Sequence, residues 1–310
     1  MNLYKLTKTK LEEIKNIPFK LERDIQNLVE ENLDMLFGLE FVKSEFPLKN
    51  FRIDTLCFDQ QTNSFVIIEY KKGKNYSVID QGYSYLSLML NNKSEFILEY
   101  NESKSKFLKR NDVDWSQSRV IFISPQFSTY QKQSIDFKDL PFELWEIKRY
   151  SNDTIILNQH KSTSQESVKT ISSTSSDERV QDVSREIVVY TEEDHLQKAS
   201  AEVRELALEL KDRILELENV EMNPVKQYIG FKVDKKVIAD FEVQKVKLKL
   251  RINLKNGHLD DPKGLFRDVS EIGHWGIGDY EAVVTSETDL DYLMSLIKQS
   301  YRYHSELEKK

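Results

Sequence analysis

A single cysteine, Cys57, is all that the 310 residues contain. One thiol excludes both a disulfide framework and a thiolate zinc cluster, and it suits a reducing compartment. Long apolar runs are missing as well. No stretch approaches the ~20 residues that cross a bilayer. The opening residues MNLYKLTKTK lack the apolar segment of a signal peptide. The expectation is therefore a cytoplasmic protein with no membrane contact. No His/Cys cluster, GxSxG elbow or Walker-type loop occurs, and nothing around Cys57 marks it as a nucleophile.

Positive charge is in short supply too, with a formal net charge of −7. The deficit is uneven. Residues 1–150 carry 22 Lys+Arg and 22 Asp+Glu, so the remainder has 45−22=23 basic against 52−22=30 acidic residues. A neutral first half can still present a local basic face. The KKGK run Lys71–Lys74, with Lys104, Lys106, Lys109 and Arg110, supplies either such a face or ordinary solvated lysines.

What is present is a soluble-type composition, 39% hydrophobic and 31% charged, in a chain long enough for two domains. Between residues 161 and 184, eleven of 24 residues are Ser or Thr and none is aromatic. Such a stretch buries too little apolar surface to order itself. The expected organisation is a first domain over 1–158, a linker over 159–190 and a second domain over 191–310. Within the second, Glu192 to Leu217 reads as one long helix with Leu196, Ala199, Val203, Leu206, Leu210, Ile214 and Leu217 on one face. That stripe packs either on its own domain or on a second chain as a homodimer.

The first domain reads as mixed α/β. An amphipathic helix spans about Lys20 to Phe37 and ends at Gly38. Strand-like runs start at Phe41, Phe51 and Ser64, with the turn-prone DQQTN between the last two. A helix over Val78 to Leu90, a further one after Ser94, and strands from Arg119 and Phe142 complete it. Side chains alternate along SFVIIEYK, so Phe65, Ile67, Glu69 and Lys71 share a face. A hairpin would set Asp54 beside Glu69. Two carboxylates with waters are the hard oxygen ligands that Mg²⁺ or Mn²⁺ takes, and a nearby lysine can polarise the attacking water. The bland alternative makes them surface partners of Arg52 and Lys71.

The pattern RID followed by IEYK resembles the signature of the PD-(D/E)XK nucleases, with Ile53-Asp54 in place of proline-aspartate. Downstream, IDQGYSYLSLM sets Gln81 and Tyr85 four apart, similar to the QxxxY motif of the RecB-type branch. That branch adds a glutamate near the start of the first helix. FKLERDIQNLVEENL offers Glu22, aligned by helical spacing with Ile25, Val29, Leu33 and Leu36, with Glu30 and Glu31 as fallbacks. The resemblance covers about residues 20–150. It implies a restriction-endonuclease-like fold, a mixed sheet flanked by helices. It further implies an endonuclease that hydrolyses DNA phosphodiesters in defence or processing. Asp54 and Glu69 would bind the metal and Glu22 a second metal or a metal-bound water. Lys71 would stabilise charge at the scissile phosphate, and Gln81 with Tyr85 would position DNA. A non-catalytic nucleic-acid-binding or assembly protein on a degenerate nuclease fold is the rival.

The remainder reads as a smaller α+β domain, with strands in KQYIGFKV, VIADFEVQ, VKLKLRINL and DYEAVVT before a closing helix. Through LDDPKGLFRDVSEIGHWGIGDYE it resembles an uncharacterised C-terminal domain that recurs behind nuclease domains. Gly273, Gly276 and Gly278 make either a tight turn or a ligand loop in which His274, Trp275 and Asp279 would take part.

Overall fold

The computed structural model describes residues 2–73, 77–164, 166–168, 177–272 and 277–306, and the chain divides between Val189 and Tyr190 into two compact units.

Unit 1 is built on a mixed sheet. After a hairpin of β1 (Leu3–Thr7) and β2 (Lys10–Ile14) come β3 (Asn16–Ile17), helices α1 (Glu22–Glu30) and α2 (Leu33–Phe37), and strands β4 (Glu40–Leu48), β5 (Phe51–Asp59) and β6 (Ser64–Tyr70). Helices α3 (Val78–Asn91) and α4 (Lys93–Lys104) lead to β7 (Arg119–Ser124), α5 (Thr129–Ser134), β8 (Phe142–Tyr150) and β9 (Ile155–His160). β4, β5 and β6 form an antiparallel meander, whereas β7 and β8 continue the sheet in parallel from β6. Period-two alternation decides what each face meets. Phe65 and Ile67 join Leu86, Met89 and Phe96 of α3 and α4 in one core. Val66, Ile68 and Cys57 join Ile25 and Val29 of α1 in the other. Covered on both faces, β6 is buried along its whole length.

The helix expected over Lys20 to Phe37 is two helices, because the backbone at Asn32 leaves helical geometry; Gly38 closes the second at φ 66°, as expected. Lys104 and Lys106, read as part of either a basic face or a set of solvated lysines, lie against Glu40 at 3.7 and 3.2 Å.

The linker expected over 159–190 is ordered at several points. Residues 159–160 finish β9. Asp136 accepts hydrogen bonds from the Ser162 hydroxyl and the Thr163 and Ser164 amides, and Asp139 accepts them from Ser167 and the Val168 amide. Glu178–Glu186 forms helix α6, capped by Asp177. Its Val183 and the following Ile187 are buried in the same core as α3, and Arg179 reaches Ser84 of α3 at 2.9 Å. The expectation averaged over composition and so missed Val180, Val183 and Ile187, an apolar stripe spaced for a helix.

In unit 2, α7 (Glu192–Leu196) and α8 (Ala201–Leu215) precede β10 (Glu221–Pro224), β11 (Ile229–Val233), β12 (Lys236–Val243), β13 (Leu248–Ile252), β14 (Arg267–Asp268), β15 (Tyr280–Val284) and α9 (Leu290–Glu306). The sheet order is β10-β11-β12-β13-β15-β14, with every neighbouring pair antiparallel. The single helix expected from Glu192 to Leu217 is broken before Ser200, whose hydroxyl caps α8. Val203, Leu206, Ala207, Leu210 and Ile214 pack against Phe231, Ile238 and Leu250 of the unit's own sheet. The stripe offered as a homodimer seam is thus spent inside the unit. No helix among the described residues is long and apolar enough to cross a membrane.

Candidate functional site

The hairpin geometry places the two carboxylates. Register pairs Thr55 with Ile68, so Asp54 and Glu69 follow as opposed neighbours at the open end of the β5–β6 ladder. Asp54 Oδ2 accepts from the Tyr70 amide at 3.0 Å. Glu69, 2% exposed, continues the face of Phe65 and Ile67 and therefore looks at α3. There its Oε1 accepts from Gln81 Nε2 at 2.9 Å and forms an ion pair with Lys71 Nζ. Gln81 Nε2 also lies 3.3 Å from the Tyr85 hydroxyl. Helical spacing puts Gln81 and Tyr85 on one face, and Ser77 fixes the start of α3 by accepting from the Asp80 amide. Asp54, Glu69, Lys71, Gln81 and Tyr85 are thus brought together from two strands, a strand exit and a helix.

Electrostatics sets this group apart from an ordinary surface cluster. Burial, and then the charge of Glu69, push the Asp54 carboxyl up to about 7, against the opposing Tyr70 amide and Lys71. Burial and the same charge hold the Tyr85 phenol far above its usual range. Glu69 Oε2 and Gln81 Oε1 are buried acceptors without a hydrogen-bond partner among the described residues. Leaving such atoms unsatisfied costs roughly 1–3 kcal/mol each, more for a charged group. The cluster therefore carries two buried acceptors that Lys71 and Gln81 leave unsatisfied.

Glu22 does not lie on the apolar face. It is exposed, the first residue of α1, and its Oε1 accepts from the Lys72 amide at 2.7 Å, just beyond Lys71. Helical spacing aligned it with Ile25 and Val29, which are buried, but at the first position of the helix Glu22 stays exposed. Glu30 turns to the opposite face of β5, where Thr55 Oγ1 donates to it at 2.5 Å, and Glu31 is exposed. Among the described residues no three metal-ligating side chains form one group.

Two residues that sequence reasoning passed over position the site. Gln26, 6% exposed, donates from Nε2 to the Asp54 carbonyl at 2.9 Å, to Glu30 at 3.0 Å and to Ser44 at 3.1 Å. Its signal was a glutamine beside Ile25 in an apolar stripe. Gly82, next to Gln81, sets the closeness of α3 to β8, because a Cβ there would meet the Phe142 ring at 2.6 Å. Gly82→Ala should accordingly destabilise unit 1 by about 1–3 kcal/mol despite alanine's better helix propensity. Urea unfolding measures this, and an unchanged midpoint would show that the ring turns aside freely.

In unit 2, His274 and Trp275 lie outside the described residues. Asp279 is engaged: its Oδ2 accepts from the Asn256 amide at 2.8 Å, and its amide and carbonyl bond to Leu254 and Val269. Gly278 sits at φ +102°, where a Cβ would strike the Ile252 carbonyl, so a tight turn requires this glycine.

Comparison with known proteins bears mainly on the whole chain and on unit 2. Residues 192–304 match the family model described as domain of unknown function DUF5655. A solved structure described as a repair endonuclease from Pyrococcus abyssi aligns with a TM-score of 0.23 and 18% identity, over 39% of this chain and 45% of that one, a likeness too slight to carry an argument. A protein of Haemophilus influenzae described as uncharacterized is 51% identical over 304 residues, spanning 97% of this chain and 100% of that protein. The chain belongs to the family of that Haemophilus influenzae protein, and its second unit carries the DUF5655 domain.

Proposed function

We propose that unit 1 is a metal-dependent deoxyribonuclease of the PD-(D/E)XK type, cutting DNA phosphodiesters internally. The observation that carries this reading is the pair of buried, donorless oxygens, Glu69 Oε2 and Gln81 Oε1, beside an Asp54 carboxyl that its surroundings keep from ionising easily. A hard divalent cation suits that donor set. Asp54 and Glu69 would hold Mg²⁺ or Mn²⁺, and Glu22 at the rim is the outer carboxylate. When bound, the cation supplies Lewis acidity toward the phosphate and an activated water. Lys71 stabilises the charge that develops on the phosphate. Gln81 keeps Glu69 in place and Tyr85 backs Gln81, its phenol remaining protonated as a donor.

The rival, a binding or assembly protein on a spent nuclease fold, draws on a different observation. Lys71 already neutralises Glu69, and no third acid joins the pair among the described residues. Purified full-length protein incubated with linear, nicked, branched and single-stranded DNA separates the two. Cleavage in Mg²⁺ or Mn²⁺ that EDTA stops is the expected result. Binding to DNA with no cleavage of any form in either metal selects the rival.

A further inference from the structure

The β7–β8 ladder of unit 1 stops early. Its last register pair is Ser124 with Glu146, whereas β3 meets β8 only at Ile17–Arg149 and Asn16–Tyr150. β9 runs along the opposite edge, pairing Glu146 with Asn158 and Arg149 with Ile155. Since β9 occupies that edge at both places, β7 and β3 must lie end to end along the other. Ile147 and Lys148 are therefore flanked on that edge by no strand among the described residues. A crevice of about 330 Å³ opens at the gap.

Its lining defines what fits. Lys148 and Arg149 provide positive charge and no carboxylate lines it. Glu146, the nearest acid along β8 and on the same face as Lys148, is paired with Lys132 at 2.7 Å and also feels the charge of Lys148. The Arg149 guanidinium pairs with the exposed Asp153, at 3.2 Å, and such surface pairs exchange readily for a phosphate. Ile17, Pro18 and Phe19 add an apolar wall beside the amide side chains of Asn16 and Gln126. Cationic rim, apolar wall and amide groups together match the phosphate, flat face and polar edges of a nucleotide. The location agrees: the Lys71 amide bonds to the Ile123 carbonyl at 2.9 Å, so the exit of β6, with Glu69 and Lys71, adjoins the exit of β7 that walls the crevice. In open α/β sheets ligands bind beyond the carboxyl ends of the strands.

We propose that this crevice holds one unpaired nucleotide of the DNA chain whose scissile phosphate lies at the Glu69–Lys71 site, an assignment that rests on the function proposed above. The test is anisotropy of labelled single-stranded and duplex oligodeoxynucleotides with the full-length protein in Ca²⁺. Lys148→Ala/Arg149→Ala should weaken single-strand binding at least about tenfold and lower the slope of log K against log salt by about 1.4, two contacts at ~0.7 each. Ile17→Asp, at a position 42% exposed, should weaken it in the same direction without unfolding the protein. Lys5→Ala/Lys10→Ala removes equal charge from the β1–β2 hairpin and should leave the slope unchanged. Equal slopes for wild type and the crevice variant, equal losses in the hairpin control, or duplex binding as tight and as sensitive would each overturn the assignment. Crevice-dependent binding without cleavage in Mg²⁺ or Mn²⁺ leaves the nucleotide site standing and sinks the nuclease. Cleavage with binding indifferent to the crevice does the reverse.

Discussion

Asp54→Asn should make the metal-free protein more stable at pH 8, by about 2–4 kcal/mol, at ~1.4 kcal/mol for each pKa unit. The folded protein holds the Asp54 proton up to about pH 7, whereas an unfolded chain releases it near its ordinary value of 3.8. Between those two pH values the folded state binds more protons, so wild-type stability rises as pH falls through the window. Above it the penalty of an ionised Asp54 beside Glu69 is present in full. Asparagine lacks the charge yet can still accept from the Tyr70 amide. The advantage of the variant should shrink to under half at pH 5, read by urea unfolding in EDTA at both values. Mn²⁺ should then raise the melting temperature of the wild type and leave that of Asp54→Asn in place. A variant less stable than wild type at pH 8 would contradict the electrostatic account, and a wild type indifferent to Mn²⁺ would sink the cation site.

Lys71→Ala should lower single-turnover cleavage by two or more orders of magnitude while DNA affinity falls only slightly. The ammonium group acts on charge that appears as the phosphodiester breaks, and an interaction made mainly in the transition state shows in the rate rather than in binding. A lysine that merely holds the DNA backbone would leave another trace: weaker binding and a salt slope reduced by about 0.7–0.9. Equal cleavage rates for wild type and variant at saturating protein would remove Lys71 from catalysis.

Much of the site was legible because it rests on short-range rules. Alternation along SFVIIEYK fixed which face Glu69 takes, the DQQTN turn fixed its neighbour, and a spacing of four put Gln81 with Tyr85. These residues lie together in the structure. What escaped depends on where an element ends or on what covers it. Glu22 sits exposed at the start of α1 rather than in the buried stripe, because a helical wheel carries no information on where the helix starts. The long helix from Glu192 failed because Ser200 caps a new start within an unbroken apolar pattern. The β1–β2 hairpin gave little signal, since Leu6 and Leu11 pair across it while remaining exposed. Gln26 matters through hydrogen bonds to Ser44 and Asp54, 18 and 28 residues further on, and sequence pattern does not report such bonds.

Helix α6 changes where this chain can be divided. By composition alone, a cut just after His160 looks harmless to unit 1, since eleven of the next 24 residues are serine or threonine and none is aromatic. Such a fragment would strip Val183 and Ile187 from the outer flank of α3, the helix that carries Gln81 and Tyr85, and expose to water the apolar side chains they cover. A fragment ending at Val189 keeps that flank sealed. The segment that looks most dispensable is thus the outer wall of the helix that orders the site.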